Sequence, residues 1–330
     1  MQIKVIRTLS MLCFMMVAGY TSYSQTSRPL RDQVDPDGWA IGTNIGMTDM
    51  WGDVGTNSAL DHYSNSGYLD KVCFMGGLWG RYTFHPSFSV RMMLNYGVFY
   101  ATDKWNEDGV KGKGLLEGSD YVQRYLRSQT AKASVVEASF LAEYTFGRYN
   151  LDAYRSKVYH RGHPYVAAGL AIFHYTPYST VANGTTFVKT YDLSLEGQGW
   201  GGSYPKKGSR IQPAIPIAIG YKWDVGEHLK LGVEFMYRIT LFDYLDGVSG
   251  KYVSDFEFDQ NMPVGEASLA KQVADKARYN NNALASVPGT LRGNPNNNDS
   301  YSSLTITFGY KVKSRQRLFW TNSKFGRKYH

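Results

Sequence analysis

Two neighbouring stretches of the chain alternate strictly between apolar and small or polar residues, and this alternation restricts the fold more than any other feature. Every second residue of 211–223 is Ile, Pro, Tyr or Trp, and 229–241 repeats the pattern with Leu, Val, Phe, Tyr and Ile. A period of two places successive side chains on opposite faces of a β-strand. The short link between the two stretches predicts a hairpin that turns at 225–228.

Six further segments alternate in the same way, which brings the predicted number of strands to eight. These segments are 39–47, 72–84, 88–100, 136–146, 165–175 and 302–312. The connections between the strands differ greatly in length. Short turns lie at 85–87 and 225–228, a medium turn at 147–163, and long loops near 50–70, 103–133, 177–210 and 244–300.

Short turns on one side of a sheet and long loops on the other are typical of outer-membrane barrels. We therefore expect an all-β fold, an eight-stranded antiparallel transmembrane outer-membrane β-barrel over 37–313, with long extracellular loops and short periplasmic turns. A soluble barrel or sandwich satisfies the same alternation with its apolar face turned inward. The chain length, the one-sided loops and the Tyr and Trp residues at the strand ends favour the membrane form.

The face opposite the apolar one carries charges of both signs. An eight-stranded barrel has a lumen just wide enough to be filled by side chains. We therefore expect these charges to pair with one another and to plug the lumen, so that a conducting pore is not expected. The predicted interior charges are Arg91, Glu137, Glu143, Lys222, Glu234 and Arg238.

The N-terminus has the order of an export signal. Lys4 and Arg7 precede the apolar run 9–18, and Ser22-Tyr23-Ser24 places small residues where signal peptidase cuts. We predict a signal peptide over 1–24, a periplasmic N-terminal segment over 25–36 and a mature protein in the outer membrane of a Gram-negative cell. An even strand number returns both termini to the periplasm.

Composition argues against several other classes of protein. Mean hydropathy is −0.37, and beyond the N-terminus no run approaches the roughly 20 apolar residues of a membrane-spanning helix. The formal net charge of +8 is a mild excess of 36 basic over 28 acidic residues spread along the chain, so nucleic-acid binding is not expected. With only two cysteines, a disulfide framework is excluded. His160 and His163 lie in the medium turn, and we expect them to be solvated there rather than to form half of a metal site. No catalytic motif is found, and we expect no cofactor and no small-molecule substrate.

A basic, aromatic tail follows the last predicted strand. Residues 314–330 interleave Arg and Lys with Phe, Trp and Tyr, which suggests either a periplasmic docking peptide or a tail lying on lipid headgroups. Exposed aromatic and arginine residues are natural anchors of an interface. The candidate partner-binding residues are Tyr149 and Tyr154 in the medium turn and Arg315, Arg317, Phe319 and Trp320 in the tail.

Several segments resemble one known family. They are Trp39–Asp53, Pro164–Pro177, the loop Leu195-Glu-Gly-Gln-Gly199, the stretch Tyr237–Ser249, and Arg292-Gly293-Asn294. Together these segments, within 37–312, resemble the PorG-like outer-membrane barrels of the type IX secretion system. The resemblance implies a non-enzymatic barrel that binds the periplasmic lipoprotein of the ring-forming secretion complex and holds that ring at the outer membrane, in contact with outer-membrane lipids. The motif residues in its loops are Glu196, Gln198, Asp243, Tyr244 and Asp246.

Two other functions stay open beside this anchoring role. A small transport or ligand-binding barrel requires an open lumen, and a lipid-modifying enzyme requires a Ser, His and acid cluster at the lipid interface. Within the anchoring hypothesis, Asp243 and Asp246 follow a strand at the start of a long loop. We expect their carboxylates to cap backbone amides of that loop rather than to bind a partner.

Overall fold

The structure is a computed structural model that describes residues 38–56, 73–85, 87–111, 119–146, 162–182, 184–225, 228–279 and 285–312. The strands in these ranges are β1 Gly38–Trp51, β2 Phe74–His85, β3 Phe88–Thr102, β4 Thr130–Thr145, β5 Gly162–Thr180, β6 Phe187–Lys189, β7 Ile211–Val225, β8 Leu229–Thr240 and β9 Ser300–Lys311. The α-helices are α1 Glu107–Lys111, α2 Asp120–Arg127, α3 Asp255–Asn261 and α4 Val264–Ala274. Short 3-10 turns cover Asp103–Asn106, Tyr191–Leu193 and Ala277–Tyr279. No helix in the described ranges is both long and apolar enough to span a bilayer.

Eight of the strands form one closed antiparallel sheet. The strand order is β4-β3-β2-β1-β9-β8-β7-β5, and pairing of β4 with β5 closes the ring. The short strand β6 pairs only with the end of β5, from Tyr178 to Thr180, and lies outside the ring. The predicted eight-stranded antiparallel barrel is confirmed.

The alternation in sequence becomes an alternation in exposure. Along β8, side chains are exposed and buried in turn from Leu229 to Arg238, with the apolar set outside. The outward residues of the other barrel strands are also large and apolar, for example Leu78 at 62%, Met92 at 66% and Leu170 at 71% exposure. A soluble protein does not expose an apolar band of this extent, because its contact with water is unfavourable. The barrel therefore spans a membrane, with this band, here called the lipid belt, facing lipid.

The two ends of the barrel differ. The strand ends that flank the long connections 52–73, 103–129, 181–210 and 241–299 lie at one end, and the described residues of these connections form the loop cap. The strand ends that flank the β2–β3, β4–β5 and β7–β8 connections lie at the other, with the start of β1 and the end of β9, and we call it the turn end. Exposed aromatic residues ring the turn end, as expected at a membrane interface. They include Trp39, Phe88, Tyr144, Phe146, Trp223 and Tyr310.

Some sequence expectations differ from the structure in detail. Strand β5 begins at Gly162, so the imidazole of His163 is buried in the barrel and does not lie in a solvated turn. Strand β6 and helix α2 have no counterpart among the predictions. The predicted signal peptide, the predicted N-terminal segment and the 314–330 tail lie outside the described residues.

The lipid belt yields the first testable prediction. Leu170→Arg places a guanidinium near the middle of β5, on the lipid face, and should cost about 2–4 kcal/mol of folding free energy in a bilayer. Leu291→Arg is the matched control, because Leu291 is 63% exposed but belongs to the loop cap. Urea titration of the barrel refolded into lipid vesicles measures both. Equal effects of the two substitutions would contradict the assignment of the belt.

Candidate functional site

Near the turn end, the lumen is filled by a first layer of paired charges. Glu143 accepts from Lys222 Nζ at 2.5 Å through Oε1 and lies 3.0 Å from Arg81 Nη2 through Oε2. Arg91 Nη2 donates to Glu234 Oε2, and the Tyr165 hydroxyl donates to the same oxygen at 2.8 Å. Most of these side chains are fully buried, so their Coulomb attraction acts in a low dielectric.

A second layer lies closer to the loop cap and is centred on Glu137. Its carboxylate accepts from Arg238 Nε at 2.9 Å, from the Tyr301 hydroxyl at 2.8 Å and from Asn95 Nδ2 at 3.1 Å. Arg238 also donates to Ser303 Oγ at 2.6 Å. Each hydrogen bond offsets part of the cost of keeping the ion pair out of water.

Aromatic rings complete the filling of the lumen above the second layer. Tyr301 meets Phe99 and Phe173 at ring-centroid distances of 5.2 and 5.4 Å, and Phe242 meets Tyr175 at 4.8 Å. All of the predicted interior charges lie in the lumen. Arg81, Tyr165 in the first layer and Tyr301 in the second were not identified from the sequence, although they share the inward alternation of their strands.

The motif Glu-Gly-Gln-Gly forms a tight loop in the cap. Gly197 and Gly199 have φ of +78° and +86°, a region that favours glycine. The backbone thereby folds so that Gln198 Oε1 accepts from the Glu196 amide at 3.0 Å and Gln198 Nε2 donates to Glu196 Oε2 at 3.2 Å. The motif is thus explained by local backbone geometry.

Glu196 joins this loop to two distant parts of the cap. Its Oε1 and Oε2 accept from the amides of Ser249 and Gly250 at 2.9 and 2.8 Å. Its Oε1 also accepts from Arg292 Nη1 at 2.7 Å, and that nitrogen donates to Gly247 O at 2.7 Å. Both ionised side chains are almost fully buried, at 2% and 1% exposure. The resemblance segments around Glu196, Ser249 and Arg292 therefore meet in one cluster.

Asp246 performs the amide-capping role that the sequence predicted for it, whereas Asp243 does not. Asp246 accepts from the Val248 amide at 2.8 Å and from the Val54 amide at 2.9 Å. The carboxylate oxygens of Asp243 are buried and accept from no described backbone amide, and the side chain of Ser249 lies beside them. The hydroxyl of the adjacent Tyr244 is likewise buried, beside the side chain of Gln198.

A second ionic cluster holds the first and second long connections against the last one. Arg127 on α2 donates twice to Asp103, at 2.8 and 2.9 Å, and to the carbonyl oxygens of Asp53 and Arg292 at 2.6 and 2.9 Å. Asp53 Oδ2 in turn accepts from the Asn294 amide at 2.5 Å. These residues lack a local sequence signal for the role, because their partners are up to 241 positions away.

Several cap groups have shifted pKa values. Burial raises the pKa of Asp246 to about 7 and that of Asp243 to about 8, with the charge of Asp53 adding to each shift. Burial and the nearby charge of Asp246 raise the pKa of Asp299 well above its ordinary value. Burial also lowers the pKa of Lys276 to about 7, and its Nζ donates to Ser179 Oγ and Thr180 Oγ1 at 2.9 and 2.7 Å.

The described surface offers clefts at the loop end. One of about 460 Å³ lies between α2 and the last long connection and is lined by Asp53, Arg124, Arg127, Tyr252, Arg292 and neighbouring residues. A second, of about 240 Å³, lies outside the ends of β3, β4 and β5. No group of three or more His, Cys, Asp or Glu side chains within the described ranges is arranged to hold a metal ion.

The candidate partner-binding residues Tyr149, Tyr154, Arg315, Arg317, Phe319 and Trp320 all lie outside the described residues.

Comparison with known proteins gives structural similarity only. No protein-family model and no curated protein matches the sequence. Among solved structures, OprG of Pseudomonas aeruginosa is 12% identical, with TM-score 0.34, covering 85% of this chain and 100% of its own. Neisserial surface protein A is 10% identical, with TM-score 0.34 and coverage of 84% and 99%. The attachment invasion locus protein Ail of Yersinia pestis is 9% identical, with TM-score 0.33 and coverage of 83% and 98%. At these values the fold assignment rests on the strand register and closure described above.

The pairing in the second layer predicts that the barrel is strongly destabilised when Arg238 loses its partner Glu137. Glu137→Leu leaves the buried guanidinium without its carboxylate and should destabilise the barrel by about 3–5 kcal/mol. The double variant Glu137→Leu/Arg238→Met removes both charges and should recover most of that loss. Urea unfolding in detergent micelles measures the two free energies. If the double variant is as unstable as the single one, pairing is not what stabilises this layer.

The raised carboxyl pKa values predict that the loop cap becomes less stable as pH rises from acid to about 8. A carboxyl whose pKa is raised by folding stabilises the fold fully only below its unfolded pKa, and this contribution is lost as pH rises through the folded value. For Asp246 and Asp243 the folded values are about 7 and about 8. Protection of the Val54, Leu245 and Val248 amides from hydrogen exchange should therefore fall progressively between about pH 4, near the unfolded pKa of an aspartate, and about pH 8, the higher of the two folded values.

Asp299→Asn tests the origin of this pH dependence. An amide at this position keeps an acceptor for the Leu245 N–H, which now bonds Oδ2 at 2.5 Å, and removes a buried titrating group. At pH 9 its protection factors should exceed those of the wild type by about tenfold, the equivalent of one pKa unit. Asp192→Asn, at a 75% exposed cap carboxylate, serves as the control. The lowered pKa of Lys276 makes its contribution to stability rise with pH, in the opposite direction. Because Lys276 is present in every variant, this contribution does not affect the comparison. An equally steep fall in Asp299→Asn would refute a contribution of the Asp299 carboxyl to this pH dependence.

Proposed function

We propose that this protein is a non-enzymatic outer-membrane scaffold that anchors or assembles a periplasmic lipoprotein ring complex of the type IX protein secretion machinery. The observation that carries the proposal is the filled lumen. Two layers of buried ion pairs and a layer of aromatic rings occupy it, and the loop cap covers one end. A barrel whose lumen is filled in this way is suited to act through its surfaces.

The orientation follows the usual arrangement of such barrels. The loop cap faces the cell exterior, and the turn end faces the periplasm together with both termini. The tail 314–330 and the β4–β5 connection then lie on the periplasmic side, where a lipoprotein ring is accessible. Their aromatic and arginine residues provide the anchors of the interface.

The cap motifs support the family resemblance without serving as the contact surface. Glu196, Gln198 and Asp246 use their polar atoms on neighbouring backbone amides and on Arg292. Side chains engaged in this way are poor candidates for binding a partner, because a partner would have to displace those hydrogen bonds. This leaves the turn end as the working surface.

A small ligand-binding or transport barrel is the second candidate. The cleft of about 460 Å³ in the loop cap favours it, since the size is within the range of small-molecule sites. Transport through the lumen requires that the paired charges separate. Steady conductance of the purified protein in planar bilayers would favour this alternative over the scaffold.

Affinity purification from detergent-solubilised outer membranes tests the scaffold. A tagged full chain is expected to retain a periplasmic lipoprotein, and a chain ending at residue 313 is expected to lose it. The variant Arg315→Ala/Arg317→Ala/Phe319→Ala/Trp320→Ala should reproduce the loss if the tail contributes through those side chains.

Phe256→Ala provides the control for removal of an exposed aromatic side chain. Phe256 is 66% exposed on α3, at the opposite end of the barrel, so its substitution should leave the lipoprotein bound. Absence of any periplasmic protein from the full-chain preparation would overturn the anchoring role. Retention by both tail variants would move the contact to the β4–β5 connection.

A further inference from the structure

The cavity of about 240 Å³ lies on the outer wall of the barrel, directly above the lipid belt. It is bounded by the ends of β3, β4 and β5 and by the hairpin of β6. The side chains of Tyr100, Thr130 and Thr180 reach it from the outward face of their strands. These side chains therefore lie on the same outward face as belt residues such as Leu94 on β3 and Leu170 on β5.

Above the belt, this wall changes from apolar to basic and hydroxyl-bearing. The strand register aligns one row of side chains across four strands, because Tyr100 pairs with Lys132, Lys132 with Tyr178, and Tyr178 with Lys189. Lys132 Nζ lies 5.3 Å from the ring centroid of Phe187, which lines the cavity. Lysine side chains at this height lie at the depth of the lipid headgroups.

The cavity lining contains hydroxyl groups and a lysine but no carboxylate. The lysine is Lys104, and the hydroxyl side chains are Tyr100, Ser128, Thr130, Thr180 and Thr185. Ser128 Oγ already donates to Tyr125 O at 2.8 Å, and the hydroxyls of Thr130 and Thr102 are hydrogen-bonded to each other at 3.1 Å. Behind Thr180, the ammonium of Lys276 donates to its Oγ1 at 2.7 Å. Asp103, the acid whose charge acts on Lys276, already accepts two hydrogen bonds from Arg127. Lys104, Lys132, Lys189 and Lys276 have no carboxylate within ion-pair distance among the described residues.

We propose that this cavity binds the phosphate group of a glycolipid headgroup in the membrane leaflet at the loop end. Hydroxyl and ammonium donors around a space without acids match a phosphate, whose oxygens accept several charge-assisted hydrogen bonds. The lipid source follows from position, since the acyl chains of the same molecule would lie on the belt residues directly below. The proposal rests on the membrane-spanning fold and on the outward orientation of the loop cap, and is independent of the periplasmic partner.

Native mass spectrometry of the full mature protein in detergent provides the test. The probes are lipid A with both phosphates, the same lipid A after enzymatic removal of its phosphates, and inorganic phosphate. Phosphorylated lipid A is expected to bind about tenfold more tightly than the dephosphorylated form. Lys104→Gln/Lys132→Gln should remove about the same factor, while binding of dephosphorylated lipid A stays unchanged.

Lys206→Gln/Lys251→Gln is the matched control, because it removes two exposed lysines from other loops of the cap. Folding of every variant is checked by the heat-dependent shift of the barrel in gel electrophoresis. Equal affinity for the two forms of lipid A, or an equal loss in the control variant, would overturn the site. Inorganic phosphate that binds as tightly as lipid A and displaces it would overturn the headgroup assignment. None of these outcomes depends on whether a lipoprotein co-purifies.

Discussion

The bilayer requires that every backbone N–H and C=O group in its apolar core find a partner within the protein, and the rest of the structure depends on this requirement. A sheet satisfies it only when it closes, here through β4 and β5. Closure with eight strands sets a narrow lumen, and the pleat directs every second residue into it. The apolar alternation outside and the charged alternation inside are therefore two results of one constraint.

The narrow lumen makes the inward charges depend on one another. Glu234 on β8 meets Arg91 on β3, and Arg238 on β8 meets Glu137 on β4, so each pair spans the barrel. A slip of one residue in any strand would turn such a charge toward lipid and its apolar neighbour inward. The ion pairs thus favour a single register, in addition to any net stabilisation they provide.

The local pattern of the sequence predicts the strands of the barrel but not the structure of the cap. Alternation with a period of two is a local signal, which is why the strand around Ile217 and its neighbour around Phe235 were predicted with nearly correct ends. The cap depends on contacts between distant residues, such as Asp53 with Asn294 and Glu196 with Arg292, and on positive φ at Gly197. No local pattern encodes these. The error at His163 has a similar origin, since a strand end that reaches beyond its apolar residues resembles a turn.

The surface of the barrel divides into three regions with different chemistry. In the loop cap, the side chains that make the motif recognisable are largely occupied by bonds within the protein, as for Glu196 and Arg292. The belt contacts lipid chains and distinguishes little among them. Selective recognition must therefore arise where donors remain available. One such place is the boundary between belt and cap around Lys132, and the proposed periplasmic contact at the turn end would be another. The two proposed recognition sites would then lie at opposite ends of the barrel, so that one could be lost by substitution without the other.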